Sequence, residues 1–217
     1  MKYELVIFDL DGTLLDTLDD LTQAINHALG LQGFPSRSRE EVRHLIGNGI
    51  ASTMRRAVPE GSDDNVSRQA LSDFRDYYLS HVNVHTRPYD GIPGLLDGMG
   101  RAGIRAAVNS NKVDCATRAL CEAHFPGRFA CILGEQTDIP KKPAPDGALR
   151  VIGQLGANPG RTLYVGDGET DIRTAANAGI DCAWVSWGYR RPSELEGLAI
   201  PHAFDSVQAL RDFILCE

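Results

Sequence analysis

Two carboxylates, Asp9 and Asp11, stand at the end of the unbroken apolar run Leu5-Val6-Ile7-Phe8. The run has the length of a strand, and Gly12, which tolerates positive φ, breaks it. Side chains two apart on an extended chain point the same way. The two acids therefore converge on one small volume, where a bound cation or a shared proton would relieve their repulsion. A buried strand followed by an ordinary polar turn would use the same residue types, since Asp and Gly are common in turns. The rest of the chain decides between these readings.

Three further segments carry chemistry, each just after an apolar run of strand length. Tyr164-Val165-Gly166-Asp167-Gly168-Glu169-Thr170-Asp171 ends in three acids, with Asp167 and Asp171 four apart across a helix start. That acid density suits a hard cation such as magnesium (Mg2+), which takes oxygen ligands and keeps several waters. Acids in a first helical turn also simply offset the helix dipole. Ser110-Asn111-Lys112 offers a hydroxyl and the amides of the next helix start to phosphate oxygens. Read plainly, Ser110 is an N-cap. In Lys141-Lys142-Pro143-Ala144-Pro145-Asp146 the prolines fix two ammonium groups ahead of a helix. Lys142, directly before Pro143, is the one expected to turn inward toward a phosphate or an acid.

Positioning these groups requires a parallel sheet, because ligands of open parallel sheets bind beyond the carboxyl ends of the strands. From Pro88 onward, helical periodicity alternates with short apolar runs, as right-handed βαβ crossovers demand. Strands are expected at Ile104–Val108, Cys131–Leu133, Thr162–Val165 and Cys182–Ser186, with helices at 91–101, 113–123, 146–155, 171–178 and 207–215. The intervening stretch is helical. Thr17 with Asp20 reads as a capped helix start, followed by Leu18, Leu21, Ile25, Ala28 and Leu29 at helical spacing. Helices are also expected over 39–46, 50–58 and 63–81. Leu5–Phe8 must join the later sheet to satisfy its backbone. The helical block is thus an insertion in an α/β domain, with residues 1–15 and 87–217 forming the core and 16–86 the insert.

Composition narrows the partners. The net charge of −7 argues against a nucleic-acid surface, which needs basic patches. No run reaches membrane-spanning length, and the start passes from Met1-Lys2-Tyr3-Glu4 directly into the first strand without a signal peptide, so a cytoplasmic protein is expected. Five cysteines without CxxC or zinc spacing read as reduced core residues, and six scattered histidines show no metal-binding arrangement.

In this order, Asp9-Leu10-Asp11-Gly12-Thr13, Ser110, Lys142 and the Gly166-Asp167 to Asp171 segment resemble the haloacid dehalogenase-like superfamily of phosphotransferases. The resemblance implies an α/β fold: a Rossmann-like parallel-sheet core with an inserted all-helical cap domain of the C1 type. Within the superfamily, Ile46-Gly47-Asn48-Gly49, Met54-Arg55-Arg56-Ala57, Thr86-Arg87-Pro88-Tyr89 and Gly91-Ile92-Pro93 are similar to the phosphoglycolate phosphatases. Ser110 stands where those relatives usually have Thr, a change that keeps the hydroxyl. The resemblance implies Asp9 as nucleophile, Asp11 as acid and base, and Ser110, Asn111 and Lys142 on the phosphate. Magnesium would be held by Asp9, the backbone carbonyl of Asp11, Asp167 and Asp171, with Glu169 outside the set. Arg56, helped by Asn48, is the candidate reader of a substrate carboxylate, a match to the guanidinium fork. The expected partner is a small phosphorylated metabolite, 2-phosphoglycolate first, and a homodimer is left open. A mutase resembling β-phosphoglucomutase, or a phosphatase for nucleotides, sugar phosphates or pyrophosphate, are the competing activities. A binding protein on a decayed fold is disfavoured by the intact acids.

Overall fold

The structure is a computed structural model that describes residues 2–216. Its centre is a six-stranded parallel sheet: β1 (Leu5–Phe8), β2 (Arg105–Val113), β3 (Cys131–Glu135), β4 (Thr162–Gly166), β5 (Asp181–Val185) and β6 (His202–Phe204), in the order β3-β2-β1-β4-β5-β6. The order reverses direction at β1, the switch point at which such sheets open a crevice. Register brings the chemistry together there. Phe8 lies beside Val108 on one side and Val165 on the other, so Asp9, Asn109 and Gly166 are the next residues of three adjacent strands. The Asp9 amide continues the ladder, donating to the Val165 carbonyl at 2.9 Å.

All of β1 is buried, which is why its sequence is a continuous apolar run rather than an alternation. Leu5 and Ile7 pack in one layer with Leu133, Val151, Tyr164 and Ile172. A rigid central strand is thus what carries Asp9.

The chain divides into two compact units. One runs up to Asp16 and resumes at Pro88; the other is Thr17–Arg87. The second unit is helical: α1 (Leu18–Leu31), α2 (Arg39–Leu45), α3 (Ile50–Ala57) and α4 (Asp64–His81). Leu21, Ala24, Ile25 and Ala28 form the buried stripe of α1, and α4 buries Ala70, Phe74 and Tyr78 at four-residue spacing. Ser38 opens α2 with a capping box closed by Glu41. The expected cap at Thr17 is not formed: its side chain makes no capping bond, and Asp20 is turned elsewhere. Asp20 is instead buried, accepting the amides of Val84 (3.1 Å), His85 (2.9 Å) and Thr86 (2.9 Å) and the Thr86 hydroxyl at 2.7 Å. Three consecutive amides at the far end of the unit outcompete one local amide for the carboxylate.

The sheet-bearing unit contains α5 (Ile92–Arg101), α6 (Asp114–His124), α7 (Asp146–Leu155), α8 (Glu169–Ala178) and α9 (Val207–Leu215). Two differences from the sequence reading matter. Strand β2 does not stop at Val108. After a register shift beyond Asn109 it pairs again with β3 at Val113 and Glu135, so Ser110, Asn111 and Lys112 lie on strand and not at a helix start. Strand β6, a three-residue edge with only partial burial, has no apolar run to announce it.

Candidate active site

Asp9 leaves β1 and Asp167 leaves β4, while Asp171 sits in the first turn of α8 with its carboxylate accepting the Gly168 amide at 3.1 Å. Gly166 makes this approach feasible: a Cβ there would lie 2.3 Å from the Cβ of Asp171. Single carboxylate oxygens of Asp9, Asp167 and Asp171 lie within 4.8 Å of one another.

Lys142 completes the cluster. Its ammonium is 2.9 Å from Asp9 Oδ1 and 2.7 Å from Asp171 Oδ1, with its side chain only 3% exposed. The inward turn comes from its backbone, whose N–H donates to Asn111 Oδ1 at 2.9 Å and whose carbonyl accepts from Asn111 Nδ2 at 3.1 Å. Below it the Tyr164 ring lies 5.8 Å from the ammonium, and the Tyr164 hydroxyl donates to the Asn109 carbonyl at 3.0 Å. Lys141 faces the other way and pairs with Glu135 at 2.7 Å.

The electrostatics follow from three clustered acids, of which Asp9 and Asp171 pair with the one ammonium and Asp167 does not. Burial pushes the Asp9 carboxyl up to about 6, against the pull of Lys142. Burial, reinforced by Asp171 and Asp9, pushes Asp167 up to about 8. Burial alone would lower Lys142, but Asp171 and Asp9 outweigh it and hold the ammonium well above its ordinary range. Such a cluster of hard oxygen donors with excess negative charge fits a divalent cation of the magnesium or manganese kind.

Asp11 does not join the three carboxylates: its side chain pairs with Lys112 Nζ at 2.9 and 3.2 Å. Ser110 is buried, and its hydroxyl accepts the Lys112 amide at 3.3 Å. Asn111 clamps Lys142, as above. Asn48 and Arg56 belong to the helical unit, where both are exposed; the Arg56 guanidinium donates to the carbonyls of Ser52, at 3.4 Å, and Leu45. Sequence reasoning passed over Lys112, although it lies two residues beyond Ser110 on the same strand and so shares its face. It also passed over Trp187-Gly188-Tyr189, which follows β5 without an acid or a lysine to mark it.

The model of the haloacid dehalogenase-like hydrolase family matches residues 6–185. The chain is a haloacid dehalogenase-like hydrolase. A phosphoglycolate phosphatase of Pseudomonas putida KT2440 is 34% identical over 95% of this chain and 78% of its own length. An N-acetylmuramic acid 6-phosphate phosphatase of Pseudomonas aeruginosa PAO1 is likewise 34% identical, over 89% of this chain and 86% of its own. A crystal structure from Lactobacillus delbrueckii subsp. bulgaricus has a TM-score of 0.95 at 33% identity, with both chains fully covered. This haloacid dehalogenase-like hydrolase is a phosphatase. No helix among the described residues is long and apolar enough to cross a membrane.

Proposed function

We propose that the protein hydrolyses 2-phosphoglycolate to glycolate and phosphate, in a magnesium-dependent reaction through an aspartyl-phosphate on Asp9. The observation that carries the chemistry is the pairing of a strand-end carboxylate, Asp9, with the Lys142 ammonium at 2.9 Å, beside Asp167 and Asp171. Relatives called phosphoglycolate phosphatase, from Pseudomonas putida KT2440, Aquifex aeolicus and Mesorhizobium japonicum, support the substrate.

In the first step a carboxylate oxygen of Asp9 attacks phosphorus, the bond to the leaving alkoxide breaks, and Asp11 supplies the proton that makes it an alcohol. In the second, Asp11 takes a proton from water as the water oxygen attacks phosphorus, and the bond to Asp9 breaks to release phosphate. Lys142 and Ser110 bind the transferring oxygens, and Asn111 holds Lys142 on target. A divalent cation bound by Asp9, the Asp11 carbonyl, Asp167 and Asp171 would offset the repulsion between an anionic nucleophile and a phosphate dianion. Arg56 and Asn48 are the proposed readers of the substrate carboxylate.

The test is phosphate release from 2-phosphoglycolate, N-acetylmuramic acid 6-phosphate, sugar phosphates, nucleotides and pyrophosphate, each with magnesium and with chelator. Preference for 2-phosphoglycolate with magnesium supports the proposal. Preference for another ester leaves the core chemistry and removes the substrate. A phosphoryl group returned to a bound sugar phosphate instead of to water would make the protein a mutase.

A further inference from the structure

The loop after β5, Ser186–Arg191, carries none of the charged motifs, yet it closes tightly on Asp167. The Tyr189 amide donates to Asp167 Oδ2 at 2.6 Å. A Cβ at Gly188 would lie 2.3 Å from Asp167 Cβ and 2.3 Å from the Gly12 carbonyl oxygen, so no larger residue fits between them. Across from it, Gly12 has φ +84°, and a Cβ there would lie 2.5 Å from Asp167 Oδ2 and 2.9 Å from the Tyr189 ring. Two indoles fasten the assembly: Trp187 Nε1 donates to the Thr13 carbonyl at 3.1 Å, and Trp184 Nε1 to the Asp167 carbonyl at 2.8 Å. Asp167 is thus gripped between the Gly12-Thr13 turn and the Trp187–Tyr189 loop, backbone and side chain both.

We infer that Trp187, Gly188 and Tyr189 are positioning residues of the cation site, holding the Asp167 carboxylate in place against those of Asp9 and Asp171. The inference rests on the reading that these three acids bind a divalent cation. Its physical content is orientation. The Tyr189 N–H on Oδ2, with the longer bond from the Thr13 hydroxyl to Oδ1 at 3.5 Å, fixes the rotation of the carboxylate about its Cβ–Cγ bond, and the glycine sets how near the loop comes. Loss of an outer partner of this kind typically weakens metal binding about 10–100-fold.

The experiment is titration of Mn2+ into metal-stripped protein without substrate, followed by calorimetry and by the Mn2+ spin-resonance signal. Gly188→Ala, which must push Asp167 or the Gly12 turn away, should raise the Mn2+ dissociation constant about tenfold or more. Trp187→Phe removes the bond to Thr13 together with part of the ring and leaves Gly188 and the Tyr189 amide in place, so it should raise the constant by less, and it carries the test alone if Gly188→Ala does not fold. Saturating Mn2+ should return turnover of p-nitrophenyl phosphate toward wild type with KM for the ester unchanged, which loss of general packing would not do. Unchanged Mn2+ affinity in the folded variants would overturn the inference. Wild-type protein that binds no Mn2+, or Asp167→Asn that binds it as wild type does, would overturn the cation reading itself.

Discussion

Asp20 offers the sharpest test of the physical reasoning, because one buried side chain organises the return of the helical unit. Its carboxylate, 2% exposed as a residue, accepts three successive amides and a hydroxyl, at 3.1, 2.9, 2.9 and 2.7 Å. Hydrogen bonds to a charged acceptor contribute roughly 1.5–3 kcal/mol each. The two from Thr86 are buried and have no substitute once the acceptor is removed, whereas water can replace part of those from Val84 and His85. These contributions are already net of the water that each group gives up, so the two Thr86 bonds at the lower end of the range set the scale. The net expectation is a destabilisation of about 3 kcal/mol. In a chain of this size that is a fall of about 6–12 °C in Tm. Asp20→Asn, which retains one acceptor oxygen, should lose about half as much. Urea unfolding followed by circular dichroism, with m-values compared, measures both. Asp20→Ala within about 0.5 kcal/mol of wild type would refute the assignment of those four bonds as a stabilising clamp.

Three other outcomes are expected. Lys142→Met should cut kcat about 100–1000-fold, the cost of losing one pre-placed donor, whereas Lys141→Met, which loses only a pair with Glu135, should leave it within about twofold; steady-state phosphate release separates the two. Burial would raise Asp181, but bonds from Lys2, Tyr3 and the Cys182 amide take its carboxyl down to about 2, so its contribution is present above the unfolded value near pH 4 and fades as the pH falls toward 2. Because the pair is partly exposed and screened, Asp181→Asn should lose about 1 kcal/mol at pH 7 and progressively less as the pH falls through 2, as urea midpoints across that range will show. Burial pushes the thiols of Cys121 and Cys182 up to about 12, so a disulfide reagent at neutral pH should label exposed Cys115 and Cys216 at once and those two only on unfolding, read by mass spectrometry.

The sheet was legible because its central strands are buried on both faces and therefore written as continuous apolar runs: Leu5–Phe8 and Thr162–Val165 could be found by eye. The helices of the insert were legible for the opposite reason, a one-sided stripe at 3.6-residue spacing. The strand-end rule then pointed to Asp9, Lys142, Asp167 and Asp171, which the fold brings to one place. What escaped depended on contacts distant in sequence. Asp20 looked like a partner for Thr17 three residues away, but its donors lie more than sixty residues on. The pairing of Asp11 with Lys112 spans 101 residues, and the extension of β2 through Ser110–Val113 comes from renewed pairing with β3 after a register shift. The Trp187–Tyr189 loop acts through a glycine's close approach, a backbone amide and one indole N–H bonded 174 residues away, none of which marks it as part of a carboxylate site in the sequence.

The most direct test of the central claim is a single-turnover reaction with 2-phosphoglycolate and magnesium, quenched in acid within the turnover time and read by peptide mass spectrometry. A transient phosphoryl adduct on Asp9 is expected, absent from Asp9→Asn, which should release no phosphate. Phosphate released with no protein-bound intermediate, an adduct on another residue, or substantial turnover by Asp9→Asn would contradict it.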